Sequence, residues 1–187
     1  MNQLNNKVII LDRDGVINYD SDNYIKSPEE WLPIPGSLEA ISQLKKAGYK
    51  VAVASNQSGI ARGYYDLDTL NAMHLKMQKL LATFGDNASI DYISYCPHGP
   101  EDNCHCRKPK PGLLLEIARH FSVQPETVIF VGDKISDQKA ADAANMQFVL
   151  VKTGKGKNMA KEIKAQSYDS LADWVNDFLL IDKTKQI

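Results

Sequence analysis

The sequence predicts an α/β domain with a doubly wound parallel sheet, and two features carry this prediction. Short apolar runs rich in β-branched residues, such as Val8–Leu11, alternate with longer segments of helical period, such as 66–84. Strands that alternate with helices form βαβ units, whose parallel strands are buried on both faces. With 187 residues the chain has the length of one domain, so we assign 1–187 to a single domain.

Five apolar runs predict the strands of this sheet. Each run is four or five residues long, and polar residues or glycine follow most of them directly. The loop at 18–36 after the first run contains three prolines and is too short to form a large cap domain. The predicted strands cover residues 8–11, 50–54, 91–95, 127–131 and 148–151.

Five segments with a helical period predict the helices. Ser37 is expected to cap the first helix and Gly48 to end it, while Pro111 suits the first position of the third. The second helix repeats apolar residues every three or four positions, as Leu70 and Met73 illustrate. The predicted helices cover residues 37–48, 66–84, 111–121, 138–144 and 170–180, followed by a frayed polar tail at 182–187.

Composition and charge argue against several functional classes. The chain has 22 basic and 23 acidic residues, a net charge of −1, so no global field favours nucleic acid. No apolar run approaches the length of a membrane span, and the segment 1–7 is polar, unlike a signal peptide. We therefore expect a cytoplasmic monomer with a small-molecule partner and no nucleic-acid or membrane partner.

Polar side chains follow three of the predicted strands. Asp12 and Asp14 follow the first, Ser55 follows the second, and Asp133 follows the fourth. Ligands bind at the carboxyl ends of the strands in open α/β sheets, so these side chains are expected to converge. Crowded carboxylates need a cation or a proton between them, and Mg²⁺ suits a few carboxylates with water and phosphate. Taken alone, the first two aspartates also fit an ordinary acidic turn.

Positive charge falls close to the predicted start of the third helix. Arg107 and Lys108 precede Pro111, and Ser55 adds a hydroxyl from another strand end. Cationic groups, hydroxyl and backbone donors, and a metal facing a carboxylate describe a phosphate site. A solvated surface lysine and an ordinary loop remain alternatives for Lys108 and Ser55 taken singly.

Three cysteines and a histidine fall within eleven residues of one loop. An odd number of clustered cysteines favours a metal over a disulfide framework, and three free thiols are the alternative. Four such ligands suit tetrahedral zinc with no open position, hence a structural ion that would fix the loop 96–109. His105 is a competing ligand. The four preferred ligands are Cys96, His98, Cys104 and Cys106.

Together these residues resemble the four motifs of the haloacid dehalogenase superfamily of phosphatases. The resemblance covers most of the chain, and the motifs occur in the order and spacing of that family. It implies the doubly wound fold, a Mg²⁺ ion and a covalent aspartyl-phosphate. The matching motifs are Asp12-x-Asp14-Gly15, Ser55, Lys108 and Gly132-Asp133-x-x-x-Asp137.

The resemblance implies catalytic roles for four residues. Asp12 would attack phosphorus, and Asp14 would protonate the leaving oxygen and then activate water. Asp14 must carry a proton first, so we expect surroundings that favour its neutral form. Ser55 and Lys108 would stabilise charge on the transferring phosphoryl group.

The resemblance also implies the metal ligands. Mg²⁺ would bind the carboxylates of Asp12 and Asp133 and the backbone carbonyl of Asp14. Asp137 is expected to orient Lys108 or a metal-bound water rather than to bind metal directly.

Longer segments of the chain resemble the subfamily of heptose bisphosphate phosphatases. These segments are Leu11–Gly15, Asn56–Gly63, Cys96–His98, Cys106–Pro109 and Gly132–Lys134. This implies removal of the C7 phosphate of a heptose 1,7-bisphosphate during synthesis of nucleotide-activated heptose, and the same zinc ligands. The phosphatase domain of histidinol-phosphate phosphatase is the near alternative, and a non-catalytic phosphosugar-binding module is an alternative of another class.

The chain departs from the motifs at two positions. Val16 stands where the family usually has threonine, and Ser55 stands where the subfamily usually has threonine. The downstream glycan and the preferred anomer stay open.

Without a large cap, loops must shape the substrate pocket. Asp20 and its polar neighbours are expected to bind sugar hydroxyls, and Arg107 is expected to meet the remote 1-phosphate. The residues expected to bind substrate are Asp20, Asn23, Asn56, Gln57, Ser58, Arg107 and Lys134.

Overall fold

The computed structural model describes residues 7–184, which contain one six-stranded sheet. Its strands are β1 (Val8–Leu11), β2 (Lys50–Asn56), β3 (Tyr92–Cys96), β4 (Ile129–Gly132), β5 (Gln147–Val151) and β6 (Gln166–Tyr168). All neighbouring strands are parallel, in the order β3-β2-β1-β4-β5-β6. The strand order reverses beside β1, which creates the crevice where such sheets bind ligands. The predicted doubly wound parallel sheet is confirmed.

Helices cover both faces of the sheet. The helices are α1 (Ser37–Lys46), α2 (Leu67–Ala82), α3 (Gly112–Phe121), α4 (Ile135–Ala144), α5 (Gly156–Met159) and α6 (Leu171–Thr184). Side chains alternate along β1, so Ile9 and Leu11 join the core with α1, α2 and α6, while Val8 and Ile10 join the core with α3 and α4. No helix within residues 7–184 combines the length and the apolar character needed to cross a bilayer.

Several predicted boundaries are wrong at the helix ends. Ser37 does not cap α1, because Gly36 occupies the cap position and Ser37 Oγ donates to the carbonyl of Ile17 at 2.7 Å. Helix α4 begins at Ile135, three residues earlier than predicted. Helix α6 continues to Thr184, so it includes the first three residues of the predicted polar tail. Residues 185–187 and most of the polar segment 1–7 lie outside the described residues.

The predicted elements omit β6 and α5. Strand β6 is a three-residue edge strand of sequence Gln-Ser-Tyr, so it has no apolar run to reveal it. Helix α5 is one turn long and begins at a glycine. Both depend on pairing and packing beside β5 rather than on local pattern.

The register of the central strands positions the site. Leu11 pairs with Val53 of β2 and with Val131 of β4. The residues that follow these three positions therefore lie side by side at the carboxyl ends of the strands. Asp12 remains tied to the sheet, because its backbone N–H donates to the carbonyl of Val131 at 2.9 Å.

Candidate active site

Three aspartates meet at the carboxyl ends of β1 and β4. Carboxylate oxygens of Asp12, Asp133 and Asp137 lie within 4.8 Å of one another, and all three residues are buried. Burial raises the pKa of Asp12 to about 6, although Lys108 opposes the shift. Burial also raises the pKa of Asp133 to about 8, with Asp12 and Asp137 adding like-charge repulsion. The cluster therefore holds more negative charge than its neighbours neutralise.

Lys108 is the buried cation of this cluster. Its Nζ lies 2.9 Å from Asp12 Oδ1 and 2.7 Å from Asp137 Oδ1, and it donates to the carbonyl of Ala54 at 2.9 Å. Burial alone would lower the pKa of Lys108, but the two carboxylates hold it above its usual range. Asp137 Oδ2 accepts the backbone N–H groups of residues 133 and 134. Asp137 therefore contacts Lys108 directly, and orienting this lysine is one of the two roles that the resemblance implies for it.

Asp133 has the properties of a ligand for a hard cation. Its Oδ2 accepts the backbone N–H of Lys155 at 2.8 Å, while its buried Oδ1 has no hydrogen-bond donor within the described part of the chain. Lys134 Nζ lies 3.9 Å from that oxygen, beyond hydrogen-bond distance. The backbone at Gly15 and Gly154 packs closely against Asp133, since a Cβ at either position would lie 2.2 Å from Asp133 Oδ2. An unpartnered buried carboxylate oxygen beside further carboxylates fits Mg²⁺.

Asp14 is surrounded by hydrogen-bond donors. Arg13 donates from Nε and Nη2 to its two oxygens at 3.1 Å each, and Asn18 and Gln57 donate at 2.8 and 3.0 Å. Burial would raise the pKa of Asp14, but Arg13 and Asn18 hold it below its usual range. The expectation of surroundings that favour the neutral acid is therefore wrong, because the adjacent arginine lies against the carboxylate.

Two predicted substrate contacts instead make contacts within the protein. Gln57 is only 2% exposed, and its amide contacts Asp14, Ser55, Arg13 and Tyr65. The amide of Asn56 pairs with the backbone of Lys108 in both directions. Both side chains hold other site residues in place.

A cavity of about 430 Å³ opens above the cluster. Arg107 lines it, and its Nη1 donates to the carbonyl of His98 at 3.1 Å. Lys134 Nζ pairs across it with Asp20 Oδ2 at 3.3 Å. Asn23 lies in a separate shallow depression beside Tyr64. The predicted substrate residues that line the cavity are Asp20, Asn56, Gln57, Ser58, Arg107 and Lys134.

Several residues of the site were not predicted from the sequence. Arg13 and Tyr65 reach the Gln57 amide, and the loop 153–155 closes over β1 and β4. Thr153 Oγ1 donates to the carbonyl of Gly15 at 2.6 Å. A Thr-Gly-Lys segment one residue after the end of a buried strand is a signal that points to this loop.

The loop after β3 brings the predicted zinc ligands together. Cys96 Sγ lies 3.6 Å from both Cys104 Sγ and His98 Nδ1, and Cys106 Sγ lies 3.5 and 3.4 Å from the same two atoms. These distances are too long for disulfides and close to the edges of a tetrahedron with arms of about 2.3 Å. The candidate ligand group consists of these four residues without His105.

The comparisons with known proteins agree with this geometry. The family model described as haloacid dehalogenase-like hydrolase matches residues 5–145. The chain belongs to the haloacid dehalogenase-like hydrolases. Relatives of this hydrolase include the D-glycero-beta-D-manno-heptose-1,7-bisphosphate 7-phosphatase of Pseudomonas putida, 62% identical over 80% of this chain and 85% of the relative. The protein of the same name from Neisseria meningitidis is 45% identical over 90% and 92% of the two chains.

A solved structure is also similar to this hydrolase over almost its whole length. It is the D,D-heptose 1,7-bisphosphate phosphatase of Bordetella bronchiseptica complexed with magnesium and phosphate. The TM-score is 0.90 at 45% sequence identity, covering 93% of this chain and 98% of the other. The fold of that enzyme agrees with the sheet described above, and the magnesium bound to it agrees with the carboxylate cluster.

This hydrolase departs from the family motifs at two positions, and the two side chains have different surroundings. Val16 is fully buried in the apolar core with α1, α2 and α6, so its methyl groups replace a hydroxyl where the neighbours are apolar. Ser55 is 1% exposed and its Oγ accepts Gln57 Nε2 at 2.7 Å. The hydroxyl that the motif supplies is therefore retained at the site.

Proposed function

We propose that the protein removes the C7 phosphate of D-glycero-β-D-manno-heptose 1,7-bisphosphate. The observation that carries the proposal is the contact of Lys108 with Asp12 beside the unpartnered oxygen of Asp133. This arrangement offers a carboxylate nucleophile and a fixed cation in one cavity, with a metal ligand beside them. The substrate and its anomer follow from the names of the relatives at 45–62% identity.

In the first half-reaction, Asp12 supplies the nucleophile. Its Oδ1 accepts the backbone N–H of Arg13 at 2.7 Å and faces Lys108, so the other oxygen is available to attack phosphorus. The new bond joins that oxygen to phosphorus as the bond from phosphorus to O7 breaks. Asp14 gives its proton to the departing O7, which leaves as the sugar hydroxyl.

In the second half-reaction, Asp14 acts as the base. Water attacks phosphorus, Asp14 takes the proton, and Asp12 departs as a carboxylate with release of inorganic phosphate. The described contacts of Asp14 with Arg13 and Asn18 suit this ionised form. The proton that Asp14 takes from water is the one that it gives to the leaving group in the next turnover.

Lys108 and Ser55 stabilise the phosphoryl group during both transfers. Lys108 is held by three acceptors, and fixed donors avoid the cost of reorganisation. Asp12, Asp133 and the backbone carbonyl of Asp14 would hold Mg²⁺, which when bound neutralises charge on the phosphoryl oxygens.

Arg107 is proposed as the contact for the 1-phosphate. It lines the cavity next to Lys108 on the loop 96–109, which a structural zinc ion bound by the four clustered side chains would stiffen. Cationic Lys134 lies across the cavity and supplies a second charge near the sugar. A cytoplasmic location and a monomeric state belong to the same proposal and stay predictions.

Parallel steady-state kinetics test the proposal. We expect the largest kcat/KM for the β-anomer of the 1,7-bisphosphate, a lower value for heptose 7-phosphate, and the lowest for histidinol phosphate. Histidinol phosphate places an ammonium and an imidazole where the bisphosphate has an anion, so Arg107 disfavours it. A preference for histidinol phosphate refutes the substrate assignment, and the absence of phosphate release from any of the three refutes catalysis and favours a binding module.

A further inference from the structure

The segment after β2 folds back so that an aromatic residue reaches the site. Tyr65 OH donates to Gln57 Oε1 at 2.6 Å. Its ring packs on the backbone at Gly59, where a Cβ would lie 2.3 Å from a ring carbon. Glycine at that position therefore leaves the space that the Tyr65 ring occupies.

Two donors fix which way the Gln57 amide points. Tyr65 OH and Arg13 Nη2 both donate to Oε1, the latter at 3.1 Å. Burial raises the pKa of Tyr65 to about 12, so the phenol keeps the proton that it donates. The NH₂ end of the amide then faces the opposite side, because a rotated amide would point its N–H groups at the Arg13 guanidinium, which can only donate.

The NH₂ end joins two residues that the reaction uses. Gln57 Nε2 donates to Asp14 Oδ2 at 3.0 Å and to Ser55 Oγ at 2.7 Å. Because the Ser55 hydroxyl accepts this bond, its own hydrogen is left to donate towards the phosphoryl group. One buried amide thus sets the orientation of both side chains.

We propose that Tyr65, acting through the Gln57 amide, is a positioning residue for Asp14 and Ser55. The inference rests on the proposed phosphatase mechanism, and Tyr65 itself does no proton transfer in it. Asp14 is aligned to give its proton to the leaving group, and Ser55 is aligned to donate to the phosphoryl oxygens. Loss of the phenol hydroxyl therefore slows the chemistry more than it weakens substrate binding.

The test removes the Tyr65 hydroxyl or the Gln57 amide by substitution, and it compares two substrates with different leaving groups. Tyr65→Phe should lower kcat on the heptose bisphosphate about five- to tenfold, as expected for one uncharged hydrogen bond, with KM changed less than twofold. The control is Tyr64→Phe, because Tyr64 is 52% exposed and its hydroxyl loss should leave kcat unchanged. Thermal unfolding verifies that both variants are folded.

A double-variant cycle shows whether Tyr65 acts through Gln57. Gln57→Met keeps the length of the side chain and removes its hydrogen bonds. If Tyr65 works only through this amide, Tyr65→Phe added to Gln57→Met should slow kcat no further. Losses that multiply overturn the inference, because they show that Tyr65 acts independently of the Gln57 amide.

The leaving group provides the second measurement. p-Nitrophenolate departs without a proton, so misalignment of Asp14 should reduce kcat/KM less for p-nitrophenyl phosphate than for the bisphosphate. Equal losses on both substrates, or unchanged kinetics in Tyr65→Phe, overturn the inference. Wild-type enzyme that hydrolyses p-nitrophenyl phosphate but not the bisphosphate refutes the proposed substrate alone, and the double-variant cycle is then measured on p-nitrophenyl phosphate.

Discussion

The side chain of Asn56 and the backbone of Lys108 form a reciprocal pair of hydrogen bonds. Asn56 Nδ2 donates to the carbonyl of Lys108 at 3.0 Å, and the N–H of Lys108 donates to Asn56 Oδ1 at 3.1 Å. These residues are 52 positions apart. The pair joins the end of β2 to the loop that carries the buried cation, so it determines where Lys108 enters the site.

Replacing Asn56 with alanine should therefore displace Lys108 without removing its charge. We expect kcat/KM on the heptose bisphosphate to fall about tenfold to a hundredfold, since the two lost bonds contribute about 0.5–1.5 kcal/mol each. Steady-state kinetics measure the loss, and exposed Asn176→Ala is the control. Unchanged kinetics in Asn56→Ala contradict the positioning role.

Asp12→Asn should abolish turnover while the protein stays folded. The amide cannot form an aspartyl-phosphate, and removal of a nucleophile commonly costs about 10⁴-fold or more in kcat. Asparagine has the same size and relieves crowding with Asp133 and Asp137, so the unfolding temperature should not fall. Phosphate-release assays and thermal unfolding check both statements. Substantial activity in the purified variant refutes the covalent mechanism.

Magnesium affinity should rise with pH between about 6 and 8. The raised pKa values of Asp12 and Asp133 mean that protons compete with the metal in this range. The same raised pKa values predict how stability depends on pH in the absence of metal. A carboxyl group whose pKa is higher in the folded state stabilises the fold while it is protonated, and this contribution is lost as pH rises through the folded pKa. Mg²⁺ should therefore raise the free energy of unfolding most near pH 8. Calorimetric titration at pH 6 and pH 8 measures the affinity, and Asp133→Asn should bind Mg²⁺ weakly at both. Affinity that is independent of pH contradicts the prediction.

Purified protein should contain about one zinc ion per chain. Cys104→Ser and His98→Ala should lose the ion, lower the unfolding temperature and reduce activity, because the loop 96–109 carries Lys108. His105→Ala is the matched control, since this exposed histidine is outside the ligand group and zinc should remain. Elemental analysis of protein prepared without chelators provides the measurement. Zinc retained by His98→Ala but lost from His105→Ala would reverse the ligand assignment.

The sequence predicts the parts of the site that lie at the carboxyl ends of strands. Asp12, Ser55 and Asp133 are visible because a buried strand is an apolar run and its end is a change in polarity. The register of a parallel sheet then brings such ends together, as the pairing of Leu11 with its two neighbours demonstrates. The four candidate zinc ligands are visible because their spacing within one loop is short.

The contacts between loops could not be predicted from the sequence. Gln57 looks like an exposed substrate ligand in a polar run, yet Arg13 and Tyr65 occupy its amide. Whether a polar side chain faces substrate or protein depends on partners that are distant in sequence. The prediction that the surroundings of Asp14 favour its protonated form is wrong for a related reason. The conformation of the turn brings the neighbouring Arg13 side chain back against the Asp14 carboxylate.

Arg107 should determine the preference for a second phosphate on the substrate. It lines the cavity from the loop next to Lys108, and the carbonyl of His98 holds its Nη1. A charge-assisted contact is typically worth about 1.5–3 kcal/mol, so Arg107→Ala should reduce kcat/KM on the heptose bisphosphate roughly ten- to a hundred-and-fifty-fold. Heptose 7-phosphate and small generic phosphates should be affected far less, because they place no anion beside Arg107.

The ratio of kcat/KM for the bisphosphate to that for the 7-monophosphate is the quantity to measure. It should collapse in Arg107→Ala and stay at the wild-type value in Arg119→Ala, which removes an equal charge from the exposed surface of α3. Arg107→Lys should recover only part of the ratio, because a point charge cannot reproduce two parallel hydrogen bonds to phosphate. A ratio that survives in Arg107→Ala assigns the 1-phosphate to another cation of the cavity, and Lys134 on the opposite wall is then the residue to replace.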